Sequence, residues 1–289
     1  MRINNLFPIL LLLSFVLPQT VFADQPQEIR FTIMGLGKPA EVYKRWGPFI
    51  NRLSEKTGHP IKMSIRQKLP RIIKMVNQDE VDFGFVNSLV FYDFYKQGKV
   101  VPVAQMQNVE GNWYSNSIIF VREDSKIKSL DQLKGKKVSF LGKASPGGYL
   151  APKATMETKG LDTKNDLDEY FTMNVGTSIY NVLLGKTEAA ATCDVMFRLF
   201  SRKINTGELK IIGRSDIYPE NLVVANSKLP KEIVEKFRKA IIGMKDNPED
   251  AAVFDSLYDL KVGRFIPYKQ ETISIIDKLK QDARFKDAI

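Results

Sequence analysis

Apolar and polar positions along this chain follow two periods that take turns. Ile29 to Met34 alternates as a strand does, and the GLGKPAE stretch after Met34 reads as a loop that opens a helix. From Val42 to Thr57, Trp46, Phe49, Ile50 and Leu53 recur at helical spacing and share one face, until Gly58 stops the run. Ile61 to Ile65 predicts a second strand, Lys68 to Asn77 an amphipathic helix, and VDFGFV at 81–86 a third strand. Leu89 to Gln97 is helical again, and Val100 to Gln105 and Ser117 to Arg122 read as further strands. This β-α-β-α-β-α-β order is that of a mostly parallel sheet covered by helices.

The pattern then begins afresh. A short helix at Leu130 to Leu133 precedes a strand at Lys137 to Leu141, a helix reaching Thr158 and a strand at Tyr170 to Asn174. Ile179 to Leu184 is helical, AAATC at 189–193 is a buried strand, and Ile211 to Gly213 is one more. Asn221 to Ala225 leads back to a tail with helices at Lys231 to Met244, Asp250 to Tyr258 and Tyr268 to Ala283. Two α/β lobes in series, with crossings at 117–126 and 216–227, place a cleft between them. Such clefts are preferred ligand sites.

The first residues break both periods. Arg2, an apolar run from Leu6 to Leu17 and Val21-Phe22-Ala23 have the make-up of an export signal, with cleavage after Ala23. No later stretch approaches the ~20 apolar residues that span a bilayer, so the mature chain is expected to be exported and not membrane-inserted. Arg2 leaves with the signal, lowering the formal charge of +10 by one. The excess favours anionic partners, but the basic residues are dispersed without an aromatic-interleaved stripe, which argues against nucleic acid. Cys193 has no partner for an internal disulfide, and its apolar surroundings favour a packed thiol over a reactive or soft-metal-binding one. HExxH, His/Cys metal spacing and Gly-x-Ser-x-Gly are absent from the sequence. The sole histidine, His59, lies in a turn, and the carboxylate pairs Asp79/Glu80 and Glu123/Asp124 sit in polar loops. An enzyme is not expected, and no cofactor or metal is implied.

The stretch KKVSFLGKASPGGYLAP, 136–152, carries candidate chemistry. A strand runs into a Ser/Pro/Gly loop and then a helix start. Ser145 suits the N-cap and Pro146 the first helical position, while Gly147 and Gly148 leave the backbone bare. Free amides at a helix N-terminus make an anion site. An ordinary strand-to-helix turn has the same letters, and this loop alone does not separate the two. Pro152 lacks an N–H one turn in, which places the regular helix nearer Gly148.

Four segments together resemble the exported solute-binding proteins of phosphate/phosphite/phosphonate ABC transporters. They are FTIMGLGKPAEVYKRWGPFINRLSEKTG, VDFGFVNSL, the block from Ser115 to Met156 and VLLGKTEAAATCD, in an order that covers the chain from about Glu28 to the tail. The resemblance implies a two-lobed periplasmic-binding-protein fold, each lobe a mostly parallel sheet flanked by helices, with a ligand cleft and two crossing segments. It divides the chain into a signal at 1–23, one lobe from 24–121 with 220–289, and a second lobe at 122–219. It further implies a periplasmic, non-catalytic protein that captures a small tetrahedral oxyanion such as phosphate, phosphite, phosphonate or arsenate. The partner would be an ABC permease or, in an alternative role, a sensor histidine kinase. The family's loop usually reads Ser-Thr-Ser-Gly, where this chain has Ser145-Pro146-Gly147-Gly148, so two hydroxyls are replaced. A histidine frequent after the next strand is here Gly176-Thr177-Ser178, and tyrosines expected near Leu69 and Val86 are missing. On this resemblance Ser145, Gly147, Gly148 and Tyr149 would cradle the anion. Thr177 and Ser178 would donate to it, and Asn87 and Ser88 would complete the contact from the first lobe. Lys38 and Asp194 would face the cleft, Asp194 either accepting from a protonated ligand oxygen or capping a helix.

Overall fold

The computed structural model describes residues 26–35 and 38–285, and the segment read as an export signal lies outside them. The chain opens with β1 (Ile29–Met34), α1 (Pro39–Thr57), β2 (Ile61–Arg66), α2 (Leu69–Asn77), β3 (Phe83–Val86), α3 (Ser88–Lys96) and β4 (Val100–Asn108). After the short β5 (Tyr114–Ser115) come β6 (Ser117–Arg122), β7 (Lys136–Phe140), α4 (Ala151–Thr158) and α5 (Thr163–Asp166). Next are β8 (Leu167–Phe171), α6 (Val175–Leu183), β9 (Ala189–Cys193), α7 (Asp194–Ser201) and β10 (Leu209–Arg214). The chain returns through the two-residue β11 (Tyr218–Pro219) to β12 (Leu222–Asn226), α8 (Lys231–Gly243), α9 (Pro248–Ala251), β13 (Val262–Ile266) and α10 (Glu271–Asp282).

Two sheets result, with strand orders β13-β4-β12-β3-β1-β2 and β10-β6-β9-β7-β8. Without the edge strand β13 they follow one plan. In each, three strands run parallel (β2, β1, β3 and β8, β7, β9), and a strand taken from elsewhere in the chain lies antiparallel beside the third. That inserted strand is β12 in the first sheet and β6 in the second, so each is the first strand after a crossing. Both sheets are therefore mixed, where near-parallel ones were expected, because each crossing delivers its strand against the direction of its neighbours.

The crossings are β5 and β11, which pair antiparallel with each other (Tyr218 with Ser115, Pro219 with Tyr114). The expected crossings at 117–126 and 216–227 are corrected by this pairing. Ser117–Arg122 is an interior strand of the second sheet, not a link from the first, and Leu222–Asn226 an interior strand of the first. Two-residue strands have no measurable period, so β5 and β11 leave no trace in the hydrophobic pattern. The edge strand β13 also escapes, its VGRFI interrupted by Gly263 and Arg264.

Both faces of each sheet are covered. In the first, Val42, Trp46, Phe49, Ile50 and Leu53 of α1 pack on Ile29, Phe31, Ile33 and Phe85 with Phe237 and Phe265. Each such fully buried side chain contributes about 1.5–3 kcal/mol. On the other face, Ile72, Val90, Phe91 and Phe94 meet Val86, Leu222 and Val224. The second sheet is buried between Leu133, Phe140, Tyr149 and Met156 on one side and Leu141, Ile179 and Val182 on the other. A further apolar cluster joins the halves, with Leu89, Leu150, Ala154 and Leu199 from around the helices of both sheets, Cys193 of β9, Tyr218 of β11, and Ile276 and Leu279 of α10.

Candidate functional site

The turn after β7 is built as its letters predict and then departs from them. The Ser145 hydroxyl accepts from the Gly148 amide at 3.0 Å, which is the N-cap bond. The first turn, Pro146–Leu150, is wide and π-type, and regular helix follows only from Ala151. Pro152 supplies the reason. Its missing N–H leaves the Gly148 carbonyl without its helical donor, and that carbonyl accepts instead from Leu141 at the end of β7, at 3.1 Å. Pro146 is the first helical position as expected, but the regular helix begins at Ala151, three residues after Gly148.

Neither glycine faces open space. A Cβ on Gly147 would stand 2.2 Å from the Tyr218 hydroxyl, and one on Gly148 would stand 2.5 Å from Leu141. Close packing therefore demands both glycines. The Gly147 carbonyl accepts from the Ser117 hydroxyl at 2.7 Å, and its amide has no acceptor among the described residues. Tyr149 turns away from the loop. Its amide is taken by the Ser145 carbonyl at 3.1 Å, and its buried ring carries the hydroxyl to Glu169 at 2.8 Å.

From the first sheet, Asn87 and Ser88 come to the same place. The Asn87 carbonyl oxygen of the side chain caps α3 by accepting from Val90 at 2.9 Å. Its Nδ2 reaches across to donate to the Ala144 carbonyl at 2.9 Å, next to Ser145. Ser88 is fully buried and donates to the carbonyl of Pro219 in β11 at 2.7 Å. The site's two halves are in contact through Asn87.

Other expected residues are engaged elsewhere. β8 ends at Phe171, so Thr172 to Asn174 form the turn and Asn174 is the cap of α6. Thr177 is exposed and its amide donates to Asn174 Oδ1 at 3.0 Å, while the buried Ser178 hydroxyl pairs with Thr172 at 2.7 Å. Asp194 is the first residue of α7 and accepts from the Val195 amide at 2.7 Å and from Arg198 at 3.3 Å. Arg198 in turn pairs with Glu110 at 2.7 Å, and the two acids hold its pKa up, the Glu110 bond most of all. Lys38 is exposed at the start of α1.

Sequence reasoning missed a buried polar cluster behind the loop. Lys261, just before β13, donates to Cys193 at 3.3 Å and pairs with Glu220 at 2.6 Å. The other Glu220 oxygen accepts from Asn108 at 3.2 Å and from Ser115. Lys261 also lies 5.7 Å above the Tyr218 ring. Burial presses the Lys261 pKa down, but Cys193 and Glu220 outweigh it and the net shift is upward, so the ammonium stays charged. The Tyr218 phenol is pushed well above its usual value by burial first, then by Cys193 and Glu220, and remains neutral. Cys193 is thus more than a packed thiol. The sequence signal for the cluster is weak: Lys261 stands between Leu260 and Val262, but Cys193 is flanked by Thr192 and Asp194, and Glu220 by Pro219 and Asn221.

The described residues contain no group of His, Cys, Asp and Glu that could hold a metal ion, and no helix long and apolar enough to cross a membrane.

Comparison with known proteins fits this geometry. A family model for the ABC transporter, phosphonate, periplasmic substrate-binding protein matches residues 31–273. The phosphate-import protein PhnD of Mycolicibacterium smegmatis is 21% identical over 235 residues, spanning 76% of this chain and 73% of its own. The phosphonates-binding periplasmic protein of Escherichia coli is 20% identical over 283 residues, spanning 95% and 81%. The structure of PhnD1 from Prochlorococcus marinus in complex with methylphosphonate superimposes with a TM-score of 0.75 at 16% identity, over 89% of this chain and 98% of that one.

Proposed function

The chain belongs to the family of phosphonate ABC-transporter periplasmic substrate-binding proteins, and on that premise we propose that it captures a small tetrahedral oxyanion between its two sheets for delivery to an ABC permease. The family is one of solute-binding proteins, not enzymes. The observation that carries the reading is the bond from Asn87 to Ala144, which brings a capped helix start of the first sheet against the Ser145 turn of the second. On this reading the anion meets the Asn87 carboxamide, the Gly147 amide and the N-terminal dipoles of α3 and of the Pro146 turn. All are suited to a phosphonate, phosphate, phosphite or arsenate group.

An arriving oxyanion takes the Asn87 Nδ2 donor away from the Ala144 carbonyl and adds the Gly147 amide. It touches both halves at once, so it holds them closed. The closed surface is what a permease would recognise. In this reading Tyr149, Ser178 and Asp194 serve the turns that shape the site and give no donor to the ligand. Lys38 contributes long-range attraction at the mouth. The two halves would act as lobes, and the protein would be exported with cleavage after Ala23.

The test is a thermal-shift screen of the mature protein against phosphate, phosphite, methylphosphonate, arsenate and sulfate. A ligand at a hundred times its Kd stabilises the native state by about 2.7 kcal/mol. The expected result is a rise in melting temperature with at least one phosphorus oxyanion. No rise with any of the five overturns the proposal.

A further inference from the structure

Four buried residues behind the loop come from parts of the chain far apart in sequence. Cys193 ends β9 of the second sheet, and Lys261 immediately precedes β13 of the first. Tyr218 and Glu220 flank the end of β11, one of the two crossings. Exposure is 5% for Cys193, 9% for Lys261, 3% for Tyr218 and zero for Glu220. Lys261 also has a left-handed backbone (φ 59°), which a lysine adopts at a cost in strain.

A buried ion pair is a poor way to gain stability, because desolvating two charges offsets their attraction, and apolar residues of the same volume often do better. What such a pair does supply is a fixed geometry. Here the fixed object is Tyr218. Its ring lies under the Lys261 ammonium, its hydroxyl is among the neighbours of Cys193, and that same hydroxyl fills the space where Gly147 lacks a side chain. On the proposed function the Gly147 amide is offered to the ligand, and its carbonyl is held by the Ser117 hydroxyl of β6. Gly147 is therefore wedged between a hydroxyl of β6 and a ring of β11.

We infer that Cys193, Lys261, Glu220 and Tyr218 form a buried positioning cluster that holds the Ser145–Gly148 loop in register for its anion and ties that register to the crossing strands. The inference rests on the oxyanion reading for its effect on binding, but the positioning itself can be measured without ligand. These are positioning residues, since none of the four is required to touch the anion.

Two variants and two readouts test it. Lys261→Met with Glu220→Gln removes both charges together and leaves no unpaired one. Tyr218→Phe keeps the ring and removes the hydroxyl that reaches Gly147. Amide hydrogen exchange in the ligand-free protein is followed at 147–150 and, as an internal reference, at 29–34 of β1. Affinity is measured by calorimetry with inorganic phosphate and with methylphosphonate. The expected result for either variant is at least tenfold faster exchange at 147–150 with unchanged exchange in β1. Affinity falls at least tenfold for whichever anion the native protein binds, and the ratio between the two anions changes. Exchange rising equally in β1 and the loop would mean a general loss of stability, and would overturn the inference, as would unchanged loop exchange. If the double variant does not fold, Tyr218→Phe decides by the same criteria. If the native protein binds neither anion, the oxyanion reading fails, and loop exchange alone decides the positioning claim.

Discussion

Replacing Gly147 by alanine exchanges a hydrogen for a methyl group at a place with no room for it. The new Cβ would lie 2.2 Å from the Tyr218 hydroxyl, 2.4 Å from Cζ and 2.8 Å from Cε1, where ordinary contact begins at 3.4 Å. Two of those atoms belong to the ring, so rotating a hydroxyl gives no relief. Tyr218 is itself held, being 3% exposed and packed under Lys261. Either the ring or the loop must move by more than about 1 Å, and overpacking of this kind costs about 1–3 kcal/mol. In a domain of this size, that lowers the melting temperature by roughly 2–4 °C per kcal/mol. If the loop is what yields, the Gly147 amide leaves its ligand position, and one lost charge-assisted hydrogen bond of about 1.5–3 kcal/mol weakens binding by roughly 10- to 150-fold. Differential scanning calorimetry and titration calorimetry with phosphate or methylphosphonate read the two effects. Truncating Tyr218 to Val in the Gly147→Ala background should restore part of the lost affinity, giving a coupling energy of about 1 kcal/mol or more. A Gly147→Ala protein with native melting temperature and native affinity would refute the contact and the role of the loop together.

Asn87→Asp keeps a good cap for α3 but replaces the Nδ2 donor by a carboxylate facing the Ala144 carbonyl. Its stability should stay within about 1 kcal/mol of native, while anion affinity falls by more than tenfold in titration calorimetry. Lys261→Met alone strands Glu220 in the interior and should cost about 3–5 kcal/mol, with chemical denaturation as the measure. Adding Glu220→Gln should recover much of that loss. Asp250, buried between Arg52 and Lys56, should carry part of the acid sensitivity. Burial would raise its pKa, but the bonds from Lys56 and Arg52 bring it below its ordinary 3.8. A depressed pKa stabilises the fold above the ordinary value, and the contribution is lost as pH falls from there through the folded value. The melting temperature of Asp250→Asn should therefore change less between pH 4 and pH 2 than that of the native protein. The Tyr92 phenol is pushed up to about 12 by burial and then by Asp277. In a spectrophotometric titration, Tyr92→Phe should lose a transition near pH 12, not near 10.

Most helices and strands are legible in the sequence because each is long enough to show its period, whereas the short α5 and α7 are not among the expected elements. The α1 stripe of Trp46, Phe49, Ile50 and Leu53 is on the page of the sequence and in the core alike. The Ser145 turn was legible as well, because cap chemistry is local and Ser145 performs it. Errors came where three-dimensional context decides. The pattern places β8 three residues late, which puts Thr177 and Ser178 where Asn174 is the entry to α6. The sequence leaves the backbone bare at Gly147 and Gly148, and in the structure Tyr218 and Leu141 occupy the space in front of their Cα atoms. No pattern within a dozen residues could announce that Tyr218, 71 positions from Gly147 and in a two-residue strand, would fill that gap. The same holds for Lys261 and Cys193, which are 68 positions apart.

The replacement of two loop hydroxyls by Pro146 and Gly147 shifts the burden of recognition from side chains to backbone. A hydroxyl can rotate to suit its ligand and can donate or accept, whereas an amide only donates and points where the chain points. Selectivity in such a loop must come from the placement of the chain itself. The structure holds that chain at several points: the Ser145 cap, the Leu141 amide on the Gly148 carbonyl, the Ser117 hydroxyl on the Gly147 carbonyl and the Tyr218 ring against Gly147. Pro146 adds stiffness by fixing its own φ. A donor that cannot adjust favours a ligand of one size and bond geometry over another of equal charge. Phosphate and methylphosphonate differ by one oxygen exchanged for a methyl group, which needs no donor and rejects a polar neighbour. With the Gly147 amide fixed in place, the adjustable partner on this reading would be Asn87, whose carboxamide can present either its donor or, turned over, its acceptor. On the proposed oxyanion reading, discrimination between the two anions would rest on the first sheet's side, where Asn87 would give up its bond to Ala144 to meet the ligand.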